Sequence, residues 1–109
     1  MHAEAPNAAA TDWEQIVGLY DVLLRADPSP VIELNRAAAL AMAAGPQAGL
    51  KALDNHRFKL AEDHLYHAAR ADLLARLGKR SEAARAYRAA LRLAAQPVER
   101  RYLERQLAR

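Results

Sequence analysis

The sequence predicts an all-α fold, a stack of antiparallel helix pairs with about six helices and no strands. Three observations carry the prediction. From Leu65 to Ala94 the chain reads as a helix, a Gly-centred turn and a second helix. The same pattern stands 34 residues earlier, where Arg36, Ala37 and Leu40 fall on Arg70, Ala71 and Leu74. About half of the 109 residues are apolar and many of these are Ala, which favours helix and lets helices approach closely.

Residues 1–10 have no apolar period, and Pro6, Asn7 and a run of Ala make them a loose lead-in. Thr11 and Glu14 have capping-box spacing, so the first helix is expected to start near Asp12. Trp13, Ile16, Val17, Tyr20, Val22, Leu23 and Leu24 give it a broad apolar stripe. It stops before Asp27 and Pro28, because a residue preceding Pro is pushed out of helical geometry. Ser29 and Pro30 signal the next start, with Pro at the first helical position where its missing amide does no harm. That helix runs to about Ala43, with Val31, Leu34, Ala37, Ala38, Ala41 and Met42 as its inward candidates. Gly45 ends it, and Pro46 starts a shorter partner reaching about Asp54, with Leu50 and Leu53 inward.

Asn55 to Lys59 reads as a polar linker. In the following helix Leu65, Ala68, Ala69, Asp72, Leu73 and Leu77 keep the three-and-four spacing of one buried face. Gly78 closes it as a left-handed cap, and Lys79 and Arg80 put positive charge beyond the negative end of the helix dipole. Ser81 is the expected cap of the next helix. There Ala83, Ala86, Tyr87, Ala90, Leu91 and Ala94 form the apolar face, and Arg85, Arg88 and Arg92 point away. Gln96 and Pro97 open the last helix, in which Val98, Tyr102, Leu103 and Leu107 are the apolar positions and four arginines keep the outer face wet, as the end of a repeat stack requires.

The 34-residue period is that of the tetratricopeptide repeat. The second copy also carries its small-x3-aromatic step, Ala83 and Tyr87, with Pro97 following, so these residues resemble that repeat. Arg36 and Arg70 stand where the repeat usually has Leu, and Leu40 and Leu74 where it has Tyr. An irregular helical bundle is the alternative.

Charge is nearly balanced overall, with 16 basic residues against 13 acidic, yet from Arg76 onward ten basic residues meet only Glu82, Glu99 and Glu104. That half suits an acidic protein surface or a phosphate backbone, or is the solvated face of helices buried on their other side. With no Cys, disulfides and thiolate metal sites are excluded, in keeping with a reducing cytoplasm. No apolar run approaches the ~20 residues of a membrane span.

Catalytic signatures are missing: there is no G-x-S-x-G elbow, H-E-x-x-H helix or phosphate-cradling glycine loop. No catalytic residue, cofactor or metal is therefore assigned, and the chain is not expected to be an enzyme. Glu62, Asp63, His64 and His67 form the best ligand-like cluster, but acidic residues in a first turn are already explained by the helix dipole. Polar residues on half-buried faces are the candidates for partner binding: Glu33, Asn35 and Arg36, with His67, Arg70 and Asp72 on the counterpart helix. Arg36 and Arg70 hold the same place in the two copies. Each is open to two readings, a scaffolding contact between layers or a hold on an extended peptide in a concave groove.

Three segments carry a more specific likeness: Thr11-Asp12-Trp13-Glu14-Gln15-Ile16 with Leu19-Tyr20-Asp21, Pro28 through Ala37, and His67 through Leu74 with Leu77-Gly78. Together they resemble the C-terminal tetratricopeptide-like extension of a group of bacterial extracytoplasmic-function (ECF) sigma factors. His2-Ala3-Glu4-Ala5 looks like the end of the linker preceding that tail, which makes 1–10 a linker remnant and 11–109 the helical domain. The polar stretch from Asn55 to Asp63 departs from the likeness. In that family the promoter-reading and polymerase-binding regions lie upstream, so direct DNA contact by these residues is not expected. The resemblance implies a regulatory module acting through protein contacts with its own sigma regions, RNA polymerase or a regulatory protein, in the cytoplasm and away from any membrane.

Overall fold

Most of the helix starts are written in the chain as prolines or capping side chains. The computed structural model describes residues 12–109, apart from the side chains of residues 58 and 59. It contains α1 (Trp13–Ala26), α2 (Pro30–Ala44), α3 (Pro46–Asp54), α4 (Arg57–Leu60), α5 (His64–Arg76), α6 (Arg80–Leu93) and α7 (Pro97–Leu107). Among the described residues there is no strand. Pro30, Pro46 and Pro97 occupy first-turn positions of α2, α3 and α7. The expected lead-in, 1–10, and Thr11 of the expected capping box lie outside the described residues. The cap of α1 is Asp12, whose Oδ1 accepts from the Gln15 amide at 3.0 Å.

Gly78 takes φ of 78°. Its amide donates to the Ala75 carbonyl and the Lys79 amide donates to the Leu74 carbonyl, both at 3.0 Å, the paired bonds of a Schellman turn. Because that turn ends at Lys79, the chain re-enters a helix at once. Lys79 is the cap, its carbonyl accepts from Ala83 at 2.9 Å, and Ser81 lies inside α6 instead of capping it. The expected linker at 55–59 is also partly helical. Leu60 is buried, and burying it draws the preceding residues into the single turn α4.

The seven elements form a stack. α2 pairs with α3 and α5 with α6; α5 lies across α3 and touches α2; α1 covers α2 at one end and α7 covers α6 at the other. Successive pairs repeat their environment, since Ala37 and Ala71, one period apart, are both buried. This is a tetratricopeptide-like arrangement of antiparallel helix pairs. Its core runs along the stack through Leu34, Leu53, Leu73, Leu74, Tyr87 and Leu103. Small residues set the spacing. A Cβ placed on Gly49 of α3 would stand 3.0 Å from both the Ala37 carbonyl and the Ala41 Cβ, and 2.9 Å from Leu73 Cδ1.

Two helices are rotated relative to the sequence expectation. α5 buries Tyr66, Ala71, Leu73 and Leu74 and leaves Leu65 exposed. α2 buries Glu33, Leu34, Ala37, Ala39 and Ala41 and exposes Val31, Ala38 and Met42. α2 is apolar around most of its circumference and α5 mixes polar and apolar residues on every side, so the neighbours they meet, and not their own periodicity, decide which side is covered.

Candidate protein-binding groove

α2 and α5 are the first helices of successive pairs, and they run side by side along one face of the stack. Positions 34 residues apart come together there: Ala38 and Met42 on α2, Asp72 and Arg76 on α5. Between them lies a cavity of about 220 Å³, floored by Ala37, Ala41, Ala69 and Leu73. Alanine at 37, 38, 41 and 69 makes this hollow, since a longer side chain at those positions would fill it. Met42 and Arg76 are exposed on opposite rims. Asn35 is exposed one turn before Ala38, on the same side of α2.

Asp72 also ties the end of the stack together. Its Oδ1 accepts from the Tyr87 hydroxyl of α6 at 2.5 Å and from the Tyr102 hydroxyl of α7 at 2.8 Å. Burial, and then the neighbouring Asp72 carboxylate, pushes the Tyr102 phenol up to about 12 and the Tyr87 phenol higher still. One carboxylate thereby orients two phenols from two other helices.

The six sequence candidates divide accordingly. Asn35 and Asp72 lie on the groove side of their helices. Arg36 and Arg70 turn away from it, and each pairs with an aspartate of an earlier helix: Arg36 Nε with Asp21 Oδ1 of α1 at 2.6 Å, Arg70 Nε with Asp54 Oδ1 of α3 at 3.3 Å. The same guanidinium-to-carboxylate link thus recurs between successive layers. Glu33 is buried with its Oε2 2.7 Å from His56 Nδ1, tying the start of α2 to the segment after α3. His67 Nε2 is 2.8 Å from the Ala61 carbonyl, and its ring meets Tyr66 edge-on at 4.9 Å. Ala38 and Met42 read from the sequence as core positions, and neither they nor Arg76 are among its binding candidates. The signal that finds them is the 34-residue offset applied to exposed positions.

The ligand-like cluster at the start of α5 is dispersed. Asp63 caps the helix by accepting from the Leu65 amide at 2.9 Å, His67 points to Ala61, and the buried His64 Nε2 lies 2.9 Å from Glu99 Oε2 of α7 without an aligned hydrogen bond. Among the described residues no three His, Asp or Glu side chains are grouped to hold a metal. Of the basic half, Arg100 is engaged internally: its Nη1 donates to the Leu91 carbonyl at 2.8 Å and the Ala94 carbonyl at 3.0 Å, closing the end of α6. Arg85, Arg88, Arg92 and Arg101 are exposed. No helix among the described residues is long and apolar enough to cross a membrane.

No family model matches the chain, and no solved structure matches it. It is similar to an uncharacterized protein of Rhizobium meliloti (strain 1021), with 40% identity over 107 residues, or 98% of this chain. The chain spans about a quarter of the length of that curated relative, 25%.

Proposed function

We propose that this chain is the tetratricopeptide-like regulatory domain of an ECF-type sigma factor, acting in the cytoplasm by binding protein and not by catalysis. The observation that carries the reading is the groove between α2 and α5, a small-residue hollow rimmed by Met42, Asp72 and Arg76, with Asn35 exposed one turn further along α2. An extended or helical segment of another polypeptide fits such a surface: apolar side chains pack over the alanines, and polar groups on the rim set its direction. The sequence segments around Asp12, Asn35 and Asp72 support the sigma-factor context. A relative in which this region makes up a quarter of the length supports a domain that works as part of something larger.

Two measurements test this. In-frame codons upstream of this region are expected to encode sigma regions, and their absence would refute the sigma-factor context while leaving a free-standing adaptor. In a transcription assay with the whole polypeptide, Ala38→Glu with Met42→Glu is expected to change transcript yield as much as deleting the domain does, with helix content unchanged. Wild-type yield from that variant would remove the groove from the reading.

A further inference from the structure

The hollow between α2 and α5 recurs one period further along the chain. Ala41, Leu53, Asp72 and Leu73 line the first hollow. Ala75, Tyr87, Gln106 and Leu107, each 34 residues on, line a second of about 410 Å³. By that offset α7 stands beside α5 as α5 stands beside α2. Two contacts fasten it there: the Tyr102 hydroxyl donates to Asp72 Oδ1 at 2.8 Å, and His64 Nε2 lies 2.9 Å from Glu99 Oε2. Ala38, Asp72 and Gln106 therefore mark equivalent places on three successive helices, and α5 is the wall that the two hollows share.

The two hollows differ in charge. The first has a floor of alanines with the exposed thioether of Met42 at its edge, and the one carboxylate lining it, Asp72, is occupied by two phenols. No acidic residue lines the second, whose walls include Arg80 and Arg109, both exposed. Arg76 is exposed on the shared helix between them. Among the described residues none of these three arginines forms an ion pair. Guanidiniums gathered without a counter-charge repel one another, and an incoming carboxylate relieves that repulsion while accepting their hydrogen bonds.

We infer, on the protein-binding reading of the groove, that it takes an extended polypeptide segment, apolar where it crosses the α2–α5 hollow and acidic where it crosses the α5–α7 hollow. Packed helices stand about 10 Å apart, so the two hollows are about three residues apart along an extended chain rising ~3.3 Å per residue. A hollow of about 220 Å³ admits one side chain at a time and not a helix ~10 Å across. An aliphatic side chain fills the alanine hollow beside Met42. An Asp or Glu further along the segment is received by Arg80 and Arg109, with the Gln106 amide at hand for the main chain between them.

Fluorescence anisotropy with the 109-residue chain and two labelled peptides tests this. One peptide carries two leucines and, about three residues away, two glutamates in a Ser/Gly background. Its twin has lysines for the glutamates, and each is made in both chain directions. The glutamate peptide is expected to bind below about 1 mM in at least one direction, and the lysine twin roughly tenfold more weakly. Arg80→Glu should reverse that preference with helix content unchanged, since the position is exposed and an acid suits the first turn of α6. Ala38→Glu with Met42→Glu should weaken both peptides. Equal affinity for the twins, with both lost in the Ala38 and Met42 variant, would overturn the acidic end and leave the groove standing. A glutamate preference that survives Arg80→Glu would overturn the assignment to the α5–α7 hollow, and no binding by the glutamate peptide up to about 1 mM would overturn the proposal outright.

Discussion

Replacing glycine by alanine at two places in this chain should move stability in opposite directions. In a helix interior the exchange is favourable by about 0.8–1 kcal/mol, because Gly loses more backbone freedom on folding. At Gly18 the added methyl meets nothing within 4 Å, so the gain should appear nearly whole, about 0.5–1 kcal/mol. At Gly49 the same methyl stands 3.0 Å from the Ala37 carbonyl oxygen and 3.0 Å from the Ala41 Cβ. Neither can rotate away, since both move only with the α2 backbone; Leu73 Cδ1 at 2.9 Å can turn aside. Overpacking of this kind costs about 1–3 kcal/mol, which outweighs the propensity gain and leaves Gly49→Ala destabilised by about 1 kcal/mol. For a domain of this size 1 kcal/mol moves Tm by roughly 4–8 °C. The two variants should therefore melt on opposite sides of the parent in circular dichroism. A Gly49→Ala protein at least as stable as the parent would refute the close α2–α3 approach from which the stack is argued.

Three further outcomes follow from the polar contacts. Asp72→Ala leaves the part-buried Tyr87 and Tyr102 hydroxyls without their acceptor and should cost about 2–4 kcal/mol in urea unfolding; Tyr102→Phe in the Asp72→Ala background should then cost much less than it does in the parent. The same two phenols are raised in the folded state, so the stability they carry is fully present below the unfolded phenol value near 10 and is lost as pH rises through about 12. Unfolding free energy against pH should hold level to about 10 and then fall together with the tyrosinate absorbance, and a flat profile through 12 would contradict the Asp72 network. Arg36→Ala and Arg70→Ala each break a half-exposed ion pair worth only about 0.2–1 kcal/mol. Each should lower Tm by a few degrees and lose most of that difference in high salt, while leaving partner binding at the groove intact.

Much of the fold was legible because its signals are local. Pro30, Pro46 and Pro97 announce helix starts through their own fixed φ, Gly78 announces a stop through its left-handed φ, and the 34-residue displacement of Arg36 on Arg70 can be counted without knowing any contact. What was misread is nonlocal. Ser81 has the chemistry of a cap, but the turn at Gly78 had already used Lys79 in that role. The stretch from Asn55 to Lys59 looks like a polar linker until the burial of Leu60 winds it into a turn. Leu65, rather than Tyr66, satisfies the spacing rule for α5, yet Tyr66 is the residue that meets the core.

The candidate site shows the same division. Sequence alone established that this is an all-helical chain with a repeated pair, that Arg36 and Arg70 are equivalent, and that Asn35 and Asp72 sit on helices of the same kind. Tertiary structure alone decided that the two arginines clamp neighbouring layers, that Asp72 gathers two tyrosines, and that Ala38 and Met42 line a hollow instead of a core. The physical reason is that periodicity defines a face only when the helix is polar on its other side. α2 is apolar or small nearly all the way round and α5 has polar residues on every side, so the direction in which each residue points is set by what the neighbouring helices leave uncovered.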